Sequence, residues 1–359
     1  MSSRLIRAVV DTSALRSNLA VVRARAPGAR VMAVVKANAY GHGLVPTALA
    51  LADANAFAVA RLEEGLALRA AGVTKSIVLL EGVFTSEQLL EAARHGFEIV
   101  VHDPLQIELL EAFSGAHRFV VWMKIDTGMN RLGFRPSDFP AAHARIAAIT
   151  PAPLEIRVLT HLARADDRDE ARNRDQIGKF NAAITGLDYA TSISNSAGIL
   201  SGAGVSADWV RPGLALYGVS PFGDKIGTEI GLQPAMSLQS TVIAVRRVPK
   251  GETVGYSGTW TAARDSTIAI VAAGYGDGLP RMLPSTTPVL IGKQRVRIAG
   301  RVSMDMIAVD VSTLPPVKVG DPVTLWGEGL PVEEIARHAG TIPYELLCGV
   351  SQRVPIELR

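Results

Sequence analysis

The sequence contains one cysteine, Cys348, among 359 residues. A disulfide within the chain is therefore excluded, and a reducing compartment fits. No apolar run reaches the roughly 20 residues that a membrane span needs. The N-terminal stretch MSSRLIRAVVDTSALRSN lacks the apolar centre of a secretion signal. The expectation is a soluble, cytoplasmic protein. There is no block of Lys or Arg: 37 basic residues stand against 34 acidic ones, for a net charge of +3. That argues against a nucleic-acid surface. Charged residues make up only 20%, which argues against extensive disorder. No G-x-G-x-x-G follows an early strand-like run, so a dinucleotide fold has little support. No low-complexity tract is present, and no metal site is expected.

What is present is apolar material in a regular rhythm. Hydrophobic residues amount to 48%, enough for a sizeable core, and the length suits two domains. A first short strand is expected over Arg4–Val10, and Asp11, Thr12 and Ser13 offer caps for a helix to about Arg25. Strand-like runs then recur at Val31–Lys36, Ala56–Ala60, Ile77–Leu80, Glu98–His102, Phe119–Ile125, Glu155–His161, Ala190–Ser194 and Asp208–Leu216. Helix-like segments lie between most of them: Leu62–Ala71 before Gly72, a helix capped by Ser86 and running to His95, one opened by Asp103-Pro104, and Arg168–Ala183. Strands alternating with helices imply parallel βαβ units, and this many in so short a stretch predict a TIM-type (β/α)8 barrel. An open doubly wound sheet is the alternative that the same alternation allows. Past Gly218 the texture changes to short β-branched runs punctuated by Pro249-Lys250-Gly251, Gly276-Asp277-Gly278 and Gly320-Asp321-Pro322. This predicts a mostly β C-terminal domain with one helix near Pro331–His338. We place the barrel at residues 9–230 and the β domain at 231–359, with residues 1–8 joining the second.

The chain is organised around VMAVVKANAYGHG, Val31 to Gly43. Its apolar run reads as a strand buried on both faces, ending at Lys36. A lysine held in an apolar site can shed its proton and act as a neutral amine, which Schiff-base chemistry requires. Taken alone, Lys36 could equally be the first exposed residue after a core strand. Barrel enzymes place their chemistry at the C-terminal ends of the strands. There Lys36 is joined by Arg131, His161, Asn195, Ser196 and Arg211, and this recurrence is what points to a site.

AVVKANAYGHG resembles the cofactor-lysine segment of alanine racemases, a family of enzymes that use pyridoxal 5′-phosphate (PLP). The resemblance continues in order to the late tyrosine of ThrIleProTyrGlu. It implies that Lys36 carries PLP as a Schiff base. Tyr40, Ser196, Gly213, Leu214 and Tyr344 would then hold the phosphate, where small residues let backbone N–H groups approach. Arg211 would face the pyridine nitrogen, and a guanidinium donates a hydrogen bond there without giving up its proton. His161 is matched to the cofactor's surroundings. Racemisation needs a proton carrier on each face of Cα. The resemblance assigns these to Lys36 and to Tyr256, in ValGlyTyrSerGly, reaching across from the partner of a homodimer. Arg131 would hold the substrate carboxylate, with Met304 approaching it from the partner. Lys124, a lysine often carbamylated in the family, Asp305 and Tyr275 would support the site. Arg281, Arg301, Asp166 and Ile342 match residues around its entrance, where Arg164 could alter access. Two departures stand out: Asn130, where glycine is common, and Pro343, which removes a backbone donor beside Tyr344. The implied activity is interconversion of L- and D-alanine for peptidoglycan synthesis. A broader amino-acid racemase, a decarboxylase of the same fold type and a non-catalytic PLP carrier are the alternatives. A decarboxylase would need a cysteine-bearing catalytic segment in the β domain, and Cys348 lies too near the end to supply it; a carrier would leave that domain unexplained.

Overall fold

The computed structural model describes residues 5–150, 153–167 and 170–359. The start of the expected first strand, Arg4, and that of the expected helix at Arg168 lie outside them. Within them, β1 is Arg7–Val10, and a helix over Thr12–Arg25 follows. Asp11 caps that helix, its Oδ1 accepting from the backbone N–H groups of Ser13 at 2.8 Å and Ala14 at 3.1 Å.

Eight parallel strands then close into a barrel. They are β2 (Arg30–Val34), β3 (Ala56–Val59), β4 (Ser76–Leu79), β5 (Glu98–Val101), β6 (Val120–Lys124), β7 (Glu155–Leu159), β8 (Thr191–Asn195) and β9 (Trp209–Arg211). Every expected strand is present, which settles the closed barrel over the open sheet. The eighth is much shorter than Asp208–Leu216. Pro212 cannot donate to a ladder, and the chain turns at Gly213 into a 3-10 turn, Leu214–Tyr217. Thr85, not Ser86, caps the helix Ser86–Arg94, accepting from Gln88 N at 3.2 Å. Helices at Leu44–Ala50 and Phe139–Ala147 were not foreseen from the sequence; both carry a proline near the start, which obscures their pattern.

The N-terminal end of the barrel is filled by a buried cluster. Glu98 Oε2 accepts from Trp122 Nε1 at 2.7 Å and from Arg157 Nη1 at 3.0 Å. The Arg157 guanidinium lies 5.1 Å from the Trp122 ring and 5.3 Å from that of Trp209. Both charges are paired and hydrogen-bonded, as burial demands. This plug leaves the opposite, C-terminal end of the barrel as the open one.

The β domain is built on β10 (Met236–Val248). Next come β11 (Thr253–Val254), β12 (Trp260–Thr261), β13 (Ser266–Val271), β14 (Pro288–Ile291), β15 (Gln294–Ile298), β16 (Ile307–Asp310), β17 (Pro322–Trp326) and β18 (Ile356–Leu358). β10 pairs with β17 through Leu238–Thr241 and with β13 through Val242–Val248. The order β10-β13-β16-β15-β14-β17 therefore returns on itself around a core that includes Trp326, Leu325 and Val309. β1 pairs antiparallel with β10 and parallel with β18. A helix at Val332–Ala339 matches the expected one, and another at Pro343–Cys348 lies against the turn that follows β2.

Candidate active site

Lys36 lies two residues past β2, at the start of a turn whose backbone is unusual. Ala37, Asn38, Ala39 and Tyr40 have φ of 54°, 53°, 54° and 51°. Left-handed backbone costs an L-residue roughly 1–2 kcal/mol, so consecutive residues hold it only where the surroundings impose it. Here they do. Ala37 N donates to Glu64 Oε1 at 2.6 Å, while Glu64 Oε2 accepts from Ala60 N at 3.0 Å and Arg61 N at 3.2 Å. Asn38 Oδ1 accepts from Leu44 N at 2.8 Å. His42 Nδ1 lies 3.1 Å from Ala39 O and 2.9 Å from Tyr40 O, so that nitrogen carries the proton. Gly41 closes the turn. A Cβ there would lie 2.1 Å from Leu347 O, so only glycine admits the helix Pro343–Cys348. The turn thereby brings Tyr40 within 5.8 Å, ring to ring, of Tyr344.

His42 is completely buried beneath the Tyr217 ring, and burial lowers its pKa to about 4. In the unfolded chain its ordinary value is 6.5. Between these values the unfolded state binds more protons, so this contribution is complete above the higher value and lost as pH falls. Urea unfolding should show stability dropping by about 2 kcal/mol from this residue between about pH 7 and about pH 5. In His42→Asn the slope of stability against pH should flatten accordingly; an unchanged slope would clear His42 of the effect.

At the C-terminal mouth of the barrel lies a cavity of about 460 Å³. Lys36, Tyr40, Lys124, Arg131, His161, Ser196, Arg211, Gly213, Leu214 and Tyr344 all line it. Lys36 is half-buried, neither enclosed nor free. Arg211 is buried and donates to Ser192 Oγ at 2.5 Å, Thr160 O at 2.5 Å and Ile193 O at 3.2 Å. Burial brings its pKa down to about 10, below the usual guanidinium range, yet it stays charged at neutral pH. Its Nη2 also lies 3.4 Å from His161 Nδ1. Arginine can only donate, so Nδ1 presents its lone pair and neutral His161 carries its proton on Nε2. Burial, followed by Arg211, Lys124, Arg131 and Lys36, holds the His161 pKa well below its ordinary value. Burial and the charges of Arg211 and Arg131 likewise lower Lys124 to about 8.

Arg131 is placed by Asp126. Burial alone would raise that carboxyl's pKa, but backbone donors from Asn130, Gly128, Met129 and Arg131 pull it below its ordinary value. Asn130 sits at φ 56°, a conformation that asparagine tolerates better than most residues, so it substitutes for glycine without redirecting the loop. Pro343 is the first residue of its helix, where the missing N–H would have no partner within the helix anyway.

The alanine racemase N-terminal domain model matches residues 10–221, and the C-terminal domain model matches residues 235–358. The chain belongs to the alanine racemase family. An alanine racemase of Shewanella sediminis is 48% identical over 350 residues, covering 98% of both chains. Among solved structures, the biosynthetic alanine racemase of Pseudomonas aeruginosa superposes with a TM-score of 0.95 at 45% identity, covering 99% of each chain. The alanine racemase of Acinetobacter baumannii gives 0.93 at 38%, covering 99% of this chain and 100% of the other.

Against that family background, the residues missing from the cavity are informative. Tyr256, Met304, Asp305 and Tyr275 do not line it. They lie on the β domain's surface, Tyr256 being 68% and Met304 53% exposed. The donor set that is present suits an aromatic phosphate such as PLP: phenols, a hydroxyl, a primary amine and cationic groups surround one space. Gly213 keeps that space open, since a Cβ there would lie 2.5 Å from Tyr40 Oη, and Ser196 Oγ fixes the loop by accepting from Gly213 N at 2.9 Å and Ala215 N at 3.1 Å. Sequence reasoning missed Glu64 and Ser192. Neither carries a local signal: Glu64 is one more acidic residue at a helix start, and Ser192 is one more strand residue.

Proposed function

We propose that the chain is an amino-acid racemase, an isomerase that uses PLP to interconvert L- and D-alanine. The convergence of Lys36 with a cationic, phenol-lined cavity at the open end of the barrel carries this reading. Bound there, PLP would withdraw electrons from an amino acid's Cα and so acidify its proton. Lys36 would hold the cofactor covalently. Tyr40, Ser196, Gly213, Leu214 and Tyr344 would take its phosphate, and His161 would help to hold the cofactor. Arg211 would donate a hydrogen bond to the ring nitrogen while keeping its own proton. That limits electron withdrawal into the ring and favours prompt return of the proton to Cα over other outcomes.

The side chains then divide the proton traffic. Lys36 Nζ serves one face of Cα. Tyr256 Oη serves the other, supplied by a second copy of the chain, because within one chain it stands on the surface away from the cavity. Arg131 clamps the substrate carboxylate with its fork of donors, and Met304 closes the substrate space from the partner. Lys124 faces Arg131 and Arg211; Asp305 and Tyr275 shape the partner's contribution. The working unit is thus a homodimer. Among the described residues no helix is long and apolar enough to cross a membrane, and we place the enzyme in the cytoplasm, supplying D-alanine to peptidoglycan. We set the domain division at 230/231. The pairing of β1 with β10 and β18 supports assigning the first residues to the second domain.

An absorbance spectrum tests the cofactor. The purified protein, with PLP added if necessary, should show a band near ~420 nm that collapses on borohydride treatment, and peptide mapping should find the label on Lys36. A label elsewhere, or none, would remove the cofactor from the proposal. An enantiomer-resolved assay with alanine follows.

A further inference from the structure

Beyond the residues assigned so far, three segments distant in sequence meet at one side chain, Arg353. Its Nε donates to Asp277 Oδ1 at 2.8 Å, and its Nη2 donates to Asp305 Oδ1 at 2.8 Å and lies 3.5 Å from Met304 O. Asp277 is buried, and its other oxygen accepts from Gly274 N at 2.8 Å. The backbones are laced together around this point: Tyr275 N donates to Ser303 O at 3.0 Å, Gly276 N to Met304 O at 2.8 Å, and Ser351 N to Asp277 O at 3.1 Å. The fit is tight. A Cβ on Gly274 would lie 2.2 Å from Met304 O, and one on Gly276 2.7 Å from Arg353 Nη2.

Met304 and Tyr275 are half-exposed at this junction, outside their own chain's cavity. Arg353 likewise lines none of that cavity. We propose that Arg353 is a positioning residue that acts on the partner's active site: it clamps the 274–278 and 303–306 loops so that Met304 and Tyr275 meet the neighbouring subunit in one fixed arrangement. A guanidinium suits this task because its rigid fork bonds two carboxylates at once. An ammonium is a single point charge on a flexible stem and cannot hold both directions. The proposal rests on the reading above in which the second subunit completes the site.

Hybrid dimers provide the test. Arg353→Met should lower kcat/KM by at least about tenfold, since a misplacement of about 1 Å can cost about 10²-fold, and should leave PLP affinity unchanged. Arg353→Lys should recover only part of the loss. Arg353→Met is then paired with Lys36→Ala in doubly tagged hybrids purified through both tags. If Arg353 acts across the interface, the hybrid regains one working site: Lys36 comes from the first protomer and an intact clamp from the second. If Arg353→Met folds poorly, Arg353→Lys takes its place in the hybrid. A parallel hybrid of Tyr256→Phe with Lys36→Ala tests the shared site itself. Recovery in the tyrosine hybrid but not in the arginine hybrid would overturn the role of Arg353 alone. Recovery in neither would overturn the shared site, and the clamp with it. Wild-type activity in Arg353→Met homodimers would also overturn the clamp.

Discussion

Lys36→Ala should lower alanine racemisation by at least about 10⁴-fold, because the substitution removes two contributions at once. General acid–base catalysis alone is typically worth about 10² to 10⁴, and loss of the covalent attachment adds to it. The same variant should still fold. Lys36 is half-buried at the cavity mouth, and the turn behind it is held by Glu64, Asn38 and His42 rather than by the lysine side chain. Thermal unfolding of the variant without cofactor should therefore match that of the wild type without cofactor. Small primary amines such as methylamine should restore part of the activity, and more so as pH rises and their neutral form grows. Activity within about a hundredfold of wild type, with no added amine, would remove Lys36 from the chemistry.

Tyr256→Phe has the next largest expected effect, and its pattern is more telling than its size. Loss of the hydroxyl should reduce racemisation by about 10²- to 10⁴-fold. The loss must be equal in the two directions, because the enantiomers of alanine have equal free energy and the ratio of the two kcat/KM values is fixed by that equality. Exchange of the Cα hydrogen with deuterated solvent is not so constrained. The enantiomer whose proton faces Lys36 should keep exchanging, while the one whose proton faces Tyr256 should stop. Equal loss of exchange from both enantiomers would sink the assignment of one base to each face. A free phenol near pKa 10 is a weak base at neutral pH, so the ring must find cationic company in the assembled site. In the proposed dimer, Lys124, Arg131 and Arg211 of the neighbouring cavity would provide it.

The barrel was legible because short strand-like runs alternate with helix-like segments along most of its length. Val31–Val35 reads as buried on both faces, and it is buried throughout. The cavity-lining residues were legible because a barrel collects the ends of its strands at one mouth, so Lys36, His161 and Arg211 had to meet. What escaped was whatever depends on backbone torsion or on long-range polar contact. Ala and Tyr do not advertise a left-handed run, and Ala37 through Tyr40 are held in one by contacts that include Glu64, 27 residues along the chain, accepting from Ala37. The truncation of β9 was obscured because Leu214 to Tyr217 is as apolar as a strand. The clamp at Arg353 joins segments that no local pattern links. The β domain's ring closure was equally hidden, since it depends on one long strand taking different partners along its length.

The place of β1 has a consequence for the chain as it is made. Its residues emerge before those of the barrel, yet its partners are β10 and β18. About 225 residues separate the end of β1 at Val10 from the start of β10 at Met236, and all must be synthesised before β10 exists. At ~5–20 residues per second, the first strand waits on the order of ten to forty-five seconds with its ladder groups unpaired. The barrel, which lies between them in sequence, can close during that wait. The waiting strand is only four residues long, Arg7–Val10, which limits what it can pair with in the meantime. Slowing synthesis lengthens this interval, whereas faster assembly of the β domain, once its last strand has appeared, does nothing to shorten it.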